Sequence, residues 1–266
     1  MSAKSPFAAA VVAAIAALGV SAAFQPAAAS PIVIDDFTVV QSATASGGSG
    51  IPTVFATDTT QGGATFGPFA GRELYGNWAS NTPRPSRTVG AISNGSFGQL
   101  QLTQTSTASG VTDAGEAYSY FGYDGGTGVN LTTSGTSFSI TTLATSSTGA
   151  FRGYMEISTG GEAATAQYDL GTMWAPNTTT EIPFSAFTTV NANVDFTQVD
   201  YLYVGIRNFG DFNASTINSA TANFASISVV PEPTQMVSLA GIGLAYGAFR
   251  LRKLRRDRGT SEAAAV

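Results

Sequence analysis

Between residues 31 and 230 apolar and polar positions alternate in short runs, and no stretch keeps a helical period for three turns. Ile32 to Val40 places Val33, Asp35, Phe37 and Val39 on one side and Ile34, Asp36, Thr38 and Val40 on the other. Gln99 to Thr103 aligns Leu100 with Leu102, and Thr136 to Leu143 aligns Phe138 with Ile140. Phe151 to Ser158 sets Phe151, Met155 and Ile157 against Arg152, Tyr154 and Glu156, and Tyr201 to Arg207 sets Leu202, Val204 and Ile206 against Tyr201, Tyr203 and Arg207. A period of two with one apolar face is what a sheet covered on one side requires. Gly-rich pieces at 46–50, 61–63, 124–126 and 159–161 read as turns between strands. Short strands at this spacing predict an all-β chain folded as one β-sandwich.

The two ends follow a different pattern. Lys4 precedes an apolar, Ala-rich run from Phe7 to Phe24, and Ala27 and Ala29 supply the small residues of a cleavage site before Ser30. That is the make-up of a secretory signal peptide over 1–29. Near the carboxyl end, Met236 to Phe249 carries no charge, and Arg250, Arg252, Lys253, Arg255, Arg256 and Arg258 follow at once. From Thr234 to Leu251 a helix would be roughly 27 Å long, close to the roughly 30 Å hydrocarbon core of a bilayer. Flanking arginines can snorkel, and basic residues mark the cytoplasmic side. Pro231 and Pro233 disfavour helix immediately upstream.

The order Pro231-Glu232-Pro233, apolar helix, arginine-rich end resembles the PEP-CTERM sorting signal of Gram-negative bacteria, over 231–258, with a tail at 259–266. The resemblance implies export, transient retention in the inner membrane by the C-terminal helix, and recognition by an exosortase that passes the protein to the cell surface or an exopolysaccharide matrix. The domain at 30–230 resembles in outline the jelly-roll sandwiches of such proteins and of galactose-binding-like and carbohydrate-binding modules. The residues that carry this second likeness are Ile34 to Phe37, Ile182 to Phe187, Val194 to Asp200 and the closing run Phe224 to Val230. Ala222-Asn223 stands where an Asp-Asn pair is expected, which departs from that pattern.

Charge and composition narrow the chemistry. The exported segment of roughly 200 residues is large enough for one domain. Its basic residues are Arg72, Arg84, Arg87, Arg152 and Arg207, outnumbered by acids, and it contains no lysine, so it repels nucleic acid. The chain has no Cys and no His, which removes disulfides, His-ligated metals and Ser-His or Cys-His nucleophiles. A glycosidase or lyase built on two carboxylates survives that test, but Asp35 and Asp36 are adjacent on a strand and point to opposite faces. One of them is expected to bond backbone near the start of the domain, with an oxygen-only calcium site at Asp35 and Asp36 as the alternative; no other cofactor is expected.

Tyrosines are the candidate binding residues. Tyr118, Tyr120 and Tyr123, or Tyr154, Tyr201 and Tyr203, on a sheet face offer wide, rigid surface with a polar tip, and Trp78 or Trp174 in a loop would do the same. Strand propensity alone also accounts for them. Arg84 and Arg87, beside Pro83 and Pro85, read as a solvated loop. The resulting expectation is a non-enzymatic exported surface or matrix protein, with a carbohydrate-binding module for exopolysaccharide as the alternative.

Overall fold

A computed structural model describes residues 30–47, 53–80, 86–104, 112–213 and 218–231. The signal segment with Ala27 and Ala29, the motif residues Glu232 and Pro233, the apolar segment and the basic cluster Arg250, Arg252, Lys253, Arg255, Arg256 and Arg258 lie outside them. Among the described residues no helix is long and apolar enough to cross a membrane.

The strands are β1 (Ile32–Asp35), β2 (Gln41–Gly47), β3 (Thr53–Phe66), β4 (Phe69–Ser80), β5 (Arg87–Ser93), β6 (Gly98–Gln104), β7 (Thr112–Val129), β8 (Ser137–Thr148), β9 (Arg152–Thr159), β10 (Ala164–Asp169), β11 (Thr178–Pro183), β12 (Thr188–Thr189), β13 (Val199–Asn213) and β14 (Asn218–Val230). One short 3-10 turn, Phe184–Ala186, follows β11. A first sheet runs β11-β8-β14-β6-β5-β2, with β1 also paired to β14; a second runs β12-β10-β9-β13-β7-β4-β3. All pairings are antiparallel. The consecutive strands β13 and β14 sit in different sheets, flanked by β7 and β6 on one side and β9 and β8 on the other. Paired strands therefore cross together from sheet to sheet, which is the jelly-roll arrangement.

The period-two runs bury the face they were expected to bury. Leu100, Leu102, Phe138, Ile140, Met155, Ile157, Leu202, Val204 and Ile206 are all within the core between the sheets. Phe121 holds the centre, 4.8 Å from Phe37 and edge-on to Phe224 at 5.8 Å. Aromatic pairs of this geometry add to the area term that drives burial.

Several expectations are corrected. The alternation of the opening run breaks: Ile34, Asp35 and Phe37 are all buried, while Val33 and Val40 are exposed. The cause is a register shift between Val33 and Asp35 and a left-handed backbone at Phe37 (φ 58°). Residues 61–63 lie inside β3 and 124–126 inside β7, so neither is a turn, whereas 159–161 is one. Arg87 opens β5 with 1% exposure rather than lying in a solvated loop; Arg84 is outside the described residues. Trp78 and Trp174 are fully buried. Trp174 does come from a loop, but its indole packs against Phe224 and its Nε1 donates to the Gly205 carbonyl at 2.9 Å.

Asp35 joins the two sheets. Its Oδ2 accepts from Arg72 Nη1 at 2.7 Å and from the Tyr123 hydroxyl at 2.9 Å, and its Oδ1 accepts from Phe37 N at 2.7 Å. Arg72 also donates to the Gln41 side chain and the Val39 carbonyl, and its guanidinium stands 4.7 Å from the Phe66 ring centroid. A guanidinium thus stands where a cation at Asp35 would sit. Burial pushes the Asp35 carboxyl up, with Arg72 opposing. Asp36 is exposed and turns to the Thr38 hydroxyl and N–H, which hold it below the ordinary aspartate range. Among the described residues no group of three or more carboxylates is placed to hold a metal.

Candidate binding cleft

The outward face of the second sheet can be read in rows across its strands. One row runs Gln167, Glu156, Tyr203, Gly122, Glu73, Thr59; the next runs Asp169, Tyr154, Gly205, Tyr120, Tyr75, Thr57; a third runs Arg152, Arg207, Tyr118, Asn77, Phe55. Every strand contributes alternate residues to this face while the intervening ones fill the core.

Tyr75, Tyr118 and Tyr120 form an array parallel to within 7°, with ring centroids 4.9 to 6.2 Å apart. Tyr201 and Tyr203 form a second parallel pair at 6.1 Å. The two sets meet where Tyr120 and Tyr203 approach to 4.8 Å at an interplanar angle of 67°. All five rings are half-buried. The corner exists because Gly122 lies beneath it: a Cβ there would come within 3.0 Å of Tyr203 Cε1 and 3.3 Å of Tyr120 Cε2. Gly205 plays the same part for Tyr154, whose ring a Cβ would meet at 2.5 Å.

Beside this corner is a cleft of about 560 Å³, lined by Tyr118, Tyr120, Tyr154 and Tyr203 and by Glu116, Glu156, Glu162, Thr165, Gln167 and Arg207. A smaller hollow of about 190 Å³ continues past Tyr203 to Tyr201, Glu73 and Asp124. The larger volume is within the roughly 300–1,000 Å³ usual for small-molecule sites.

Arg207 is the cation of the cleft. It lies 4.8 Å from the Tyr154 ring centroid and pairs with Asp169 at 3.1 Å and with the Gln167 side chain at 3.2 Å. Asp169 is held below the ordinary aspartate range: burial alone would raise it, and the Gly171 N–H, Arg207 and Arg152 outweigh that. Glu156 goes the other way, raised by burial against the Gln167 amide and Arg207. Burial, and after it Glu73, pushes the Tyr120 hydroxyl well above the ordinary tyrosine range, and burial followed by Glu162, Glu73 and Glu156 does the same for Tyr203.

Of the residues singled out in the sequence, Tyr118, Tyr120, Tyr201 and Tyr203 share this face. Tyr123 does not: it is an odd number of residues from both Tyr118 and Tyr120 in effect, three past Tyr120, and so points into the core. Tyr154 shares the face but is only 5% exposed. Sequence reading missed Tyr75, Phe55, Glu73, Glu116 and Gln167. Arg72 to Trp78 does alternate, and that run was the available signal for Tyr75 and Glu73.

No protein-family model and no curated protein matches the chain. Among solved structures, a family 11 carbohydrate-binding module from Clostridium thermocellum, in complex with a β-1,3-1,4-mixed-linked tetrasaccharide, is similar over 77% of this chain and 98% of that one, with 14% identity and a TM-score of 0.36. At that score the likeness decides nothing about function.

Proposed function

We propose that the chain is an exported, non-catalytic glycan-binding protein whose ligand lies in the tyrosine corner and the cleft beside it. The observation that carries this is the meeting of two parallel tyrosine sets at Tyr120 and Tyr203 on an open, half-buried face. A pyranose ring has apolar C–H faces and a rim of hydroxyls. Tyrosine faces take the first, and Glu116, Glu156, Gln167 and Thr165 take the second. An extended groove from Tyr118 past Tyr203 to Tyr201 suits a chain of sugars better than a single one.

Export and sorting in this reading rest on the two ends of the sequence. The signal segment directs secretion, the apolar segment after Pro233 holds the protein in the inner membrane, and an exosortase acts at Pro231-Glu232-Pro233. The sandwich then stands at the cell surface or in the matrix with its tyrosine face open to polysaccharide.

The test is a panel of bacterial and plant oligosaccharides presented to the purified full-length chain, with titration calorimetry and analysis of the recovered sugars. Binding without change in the sugars is the expected result. Absence of binding across the panel sinks the glycan reading, and recovery of shortened oligosaccharides would make the cleft catalytic through its glutamates.

A further inference from the structure

The charge in the cleft is one-sided. Glu116, Glu156 and Glu162 line it, and the one cation among its described lining residues, Arg207, pairs with Asp169 at 3.1 Å, a carboxylate it shares with Arg152 at 3.8 Å. The adjoining hollow adds Glu73 and Asp124, while its Arg72 is matched by Asp35. The same walls present tyrosine rings, whose faces attract cations, and the Arg207 guanidinium 4.8 Å from the Tyr154 centroid shows that chemistry in place. A second observation points to a ligand. Tyr154 is 5% exposed and belongs to the cleft lining, yet its hydroxyl makes no hydrogen bond among the described residues. The hydroxyl is not among the side-chain atoms closed off from solvent, so it opens on the cleft. A ligand group in the cleft would supply the partner.

We propose that the cleft selects a glycan bearing free ammonium groups, such as a de-N-acetylated amino-sugar polymer, over neutral and anionic polysaccharides. The inference rests on the glycan-binding reading above and adds the class of sugar. The sugar faces lie on Tyr120 and Tyr203, an ammonium at C2 reaches the Glu116, Glu156 and Glu162 carboxylates, and a sugar oxygen accepts from the Tyr154 hydroxyl. A uronic acid polymer would meet those carboxylates with like charge.

The experiment compares a glucosamine hexamer, an N-acetylglucosamine hexamer, a neutral glucan hexamer and an oligomannuronate on the full-length chain at low and at physiological salt. Glucosamine hexamer is expected to bind about tenfold tighter than its acetylated counterpart at low salt, with the advantage shrinking as salt rises. In an E116Q/E156Q/E162Q variant the ratio of the two Kd values is expected to fall to about one. Because Glu156 is partly buried, E162Q alone, at an exposed turn position, is the variant that keeps the test sound if the triple fails to fold, and it is expected to reduce the ratio measurably. Equal or tighter binding of the acetylated, neutral or anionic oligomers overturns the charge selection and leaves glycan binding standing. Failure of all four to bind overturns both.

Discussion

Tyr203 and Gly122 face one another across β13 and β7, and the tyrosine ring occupies the space that a side chain at 122 would need, with 3.0 Å separating its Cε1 from the position of a Cβ. Because Tyr120 closes in on the same spot from 3.3 Å, this one glycine sets the angle between the two tyrosine sets. Gly122→Val is expected to push the rings apart, lower glycan affinity about tenfold and cost about 1–3 kcal/mol of stability. Gly205→Ala is the harsher change, because its Cβ would meet the Ser119 carbonyl at 2.7 Å as well as the Tyr154 ring. Urea unfolding of both variants beside calorimetric titration checks the order.

Truncation of the platform itself separates binding from folding. Tyr118→Ala, Tyr120→Ala and Tyr203→Ala are each expected to weaken binding by about tenfold or more, as for aromatic anchors generally. Tyr118→Ala is expected to unfold at nearly the wild-type urea concentration, being half-buried at the outer face. Full affinity in all three variants would remove the corner as the binding site.

The Arg72–Asp35 pair is a joint between the sheets, with both side chains essentially out of water. Removing either partner leaves the other charge buried, so Asp35→Ala and Arg72→Ala are each expected to cost about 3–5 kcal/mol. The double variant is expected to cost less than the sum of the singles, since neither charge then remains. Chemical denaturation of the four proteins forms a cycle that reads the coupling directly.

Glu156 carries a pH signature. Its carboxyl is raised above 4.5 in the folded protein, first by burial, so the folded state holds that proton more tightly than the unfolded chain does. Its contribution is fully present below pH 4.5 and is lost as pH rises through the folded value. After burial, Gln167 and Arg207 oppose the rise and Glu162 adds to it. Wild type is therefore expected to lose stability relative to Glu156→Gln as pH rises above about 4.5. Parallel slopes for the two proteins in that range would contradict the assignment.

Processing is a separate matter from binding. In a host with an exosortase, the mature protein is expected to lack the region after about Glu232, and changing Pro231, Glu232 and Pro233 to Ala should leave uncut protein in the inner membrane. Pro231 is itself buried at the end of β14. A Pro231→Ala single variant therefore also needs its urea midpoint measured before its processing is interpreted. Intact mass of the surface protein decides: a full-length C-terminus there contradicts the sorting proposal.

The sandwich was legible because strands such as β6 and β13 keep strict alternation, and Leu100, Leu102, Leu202, Val204 and Ile206 needed no knowledge of their partners to be placed inside. What failed were residues whose position depends on something distant in the chain. Arg72 finds Asp35 from 37 residues away, so local pattern cannot show that a buried arginine is paired. Trp174 reads as a surface loop aromatic until β13 and β14 supply Gly205 and Phe224 to cover it. Tyr123 illustrates parity: near Tyr118 and Tyr120 in sequence, it is on the other face. The cleft itself needs β7, β13, β9 and β10 side by side, an order that no single strand encodes.

Ile32 of β1 sits opposite Val229 of β14, so the polypeptide enters and leaves the sandwich at one pole. A tether attached beyond Pro231 would pull along a strand clamped in mid-sheet by β6, β8 and β1, where tension must slide hydrogen bonds past one another rather than unzip them singly. The body of the protein would then hang from a seam in the first sheet, while the tyrosine face belongs to the second, whose strands are not hydrogen-bonded to β14.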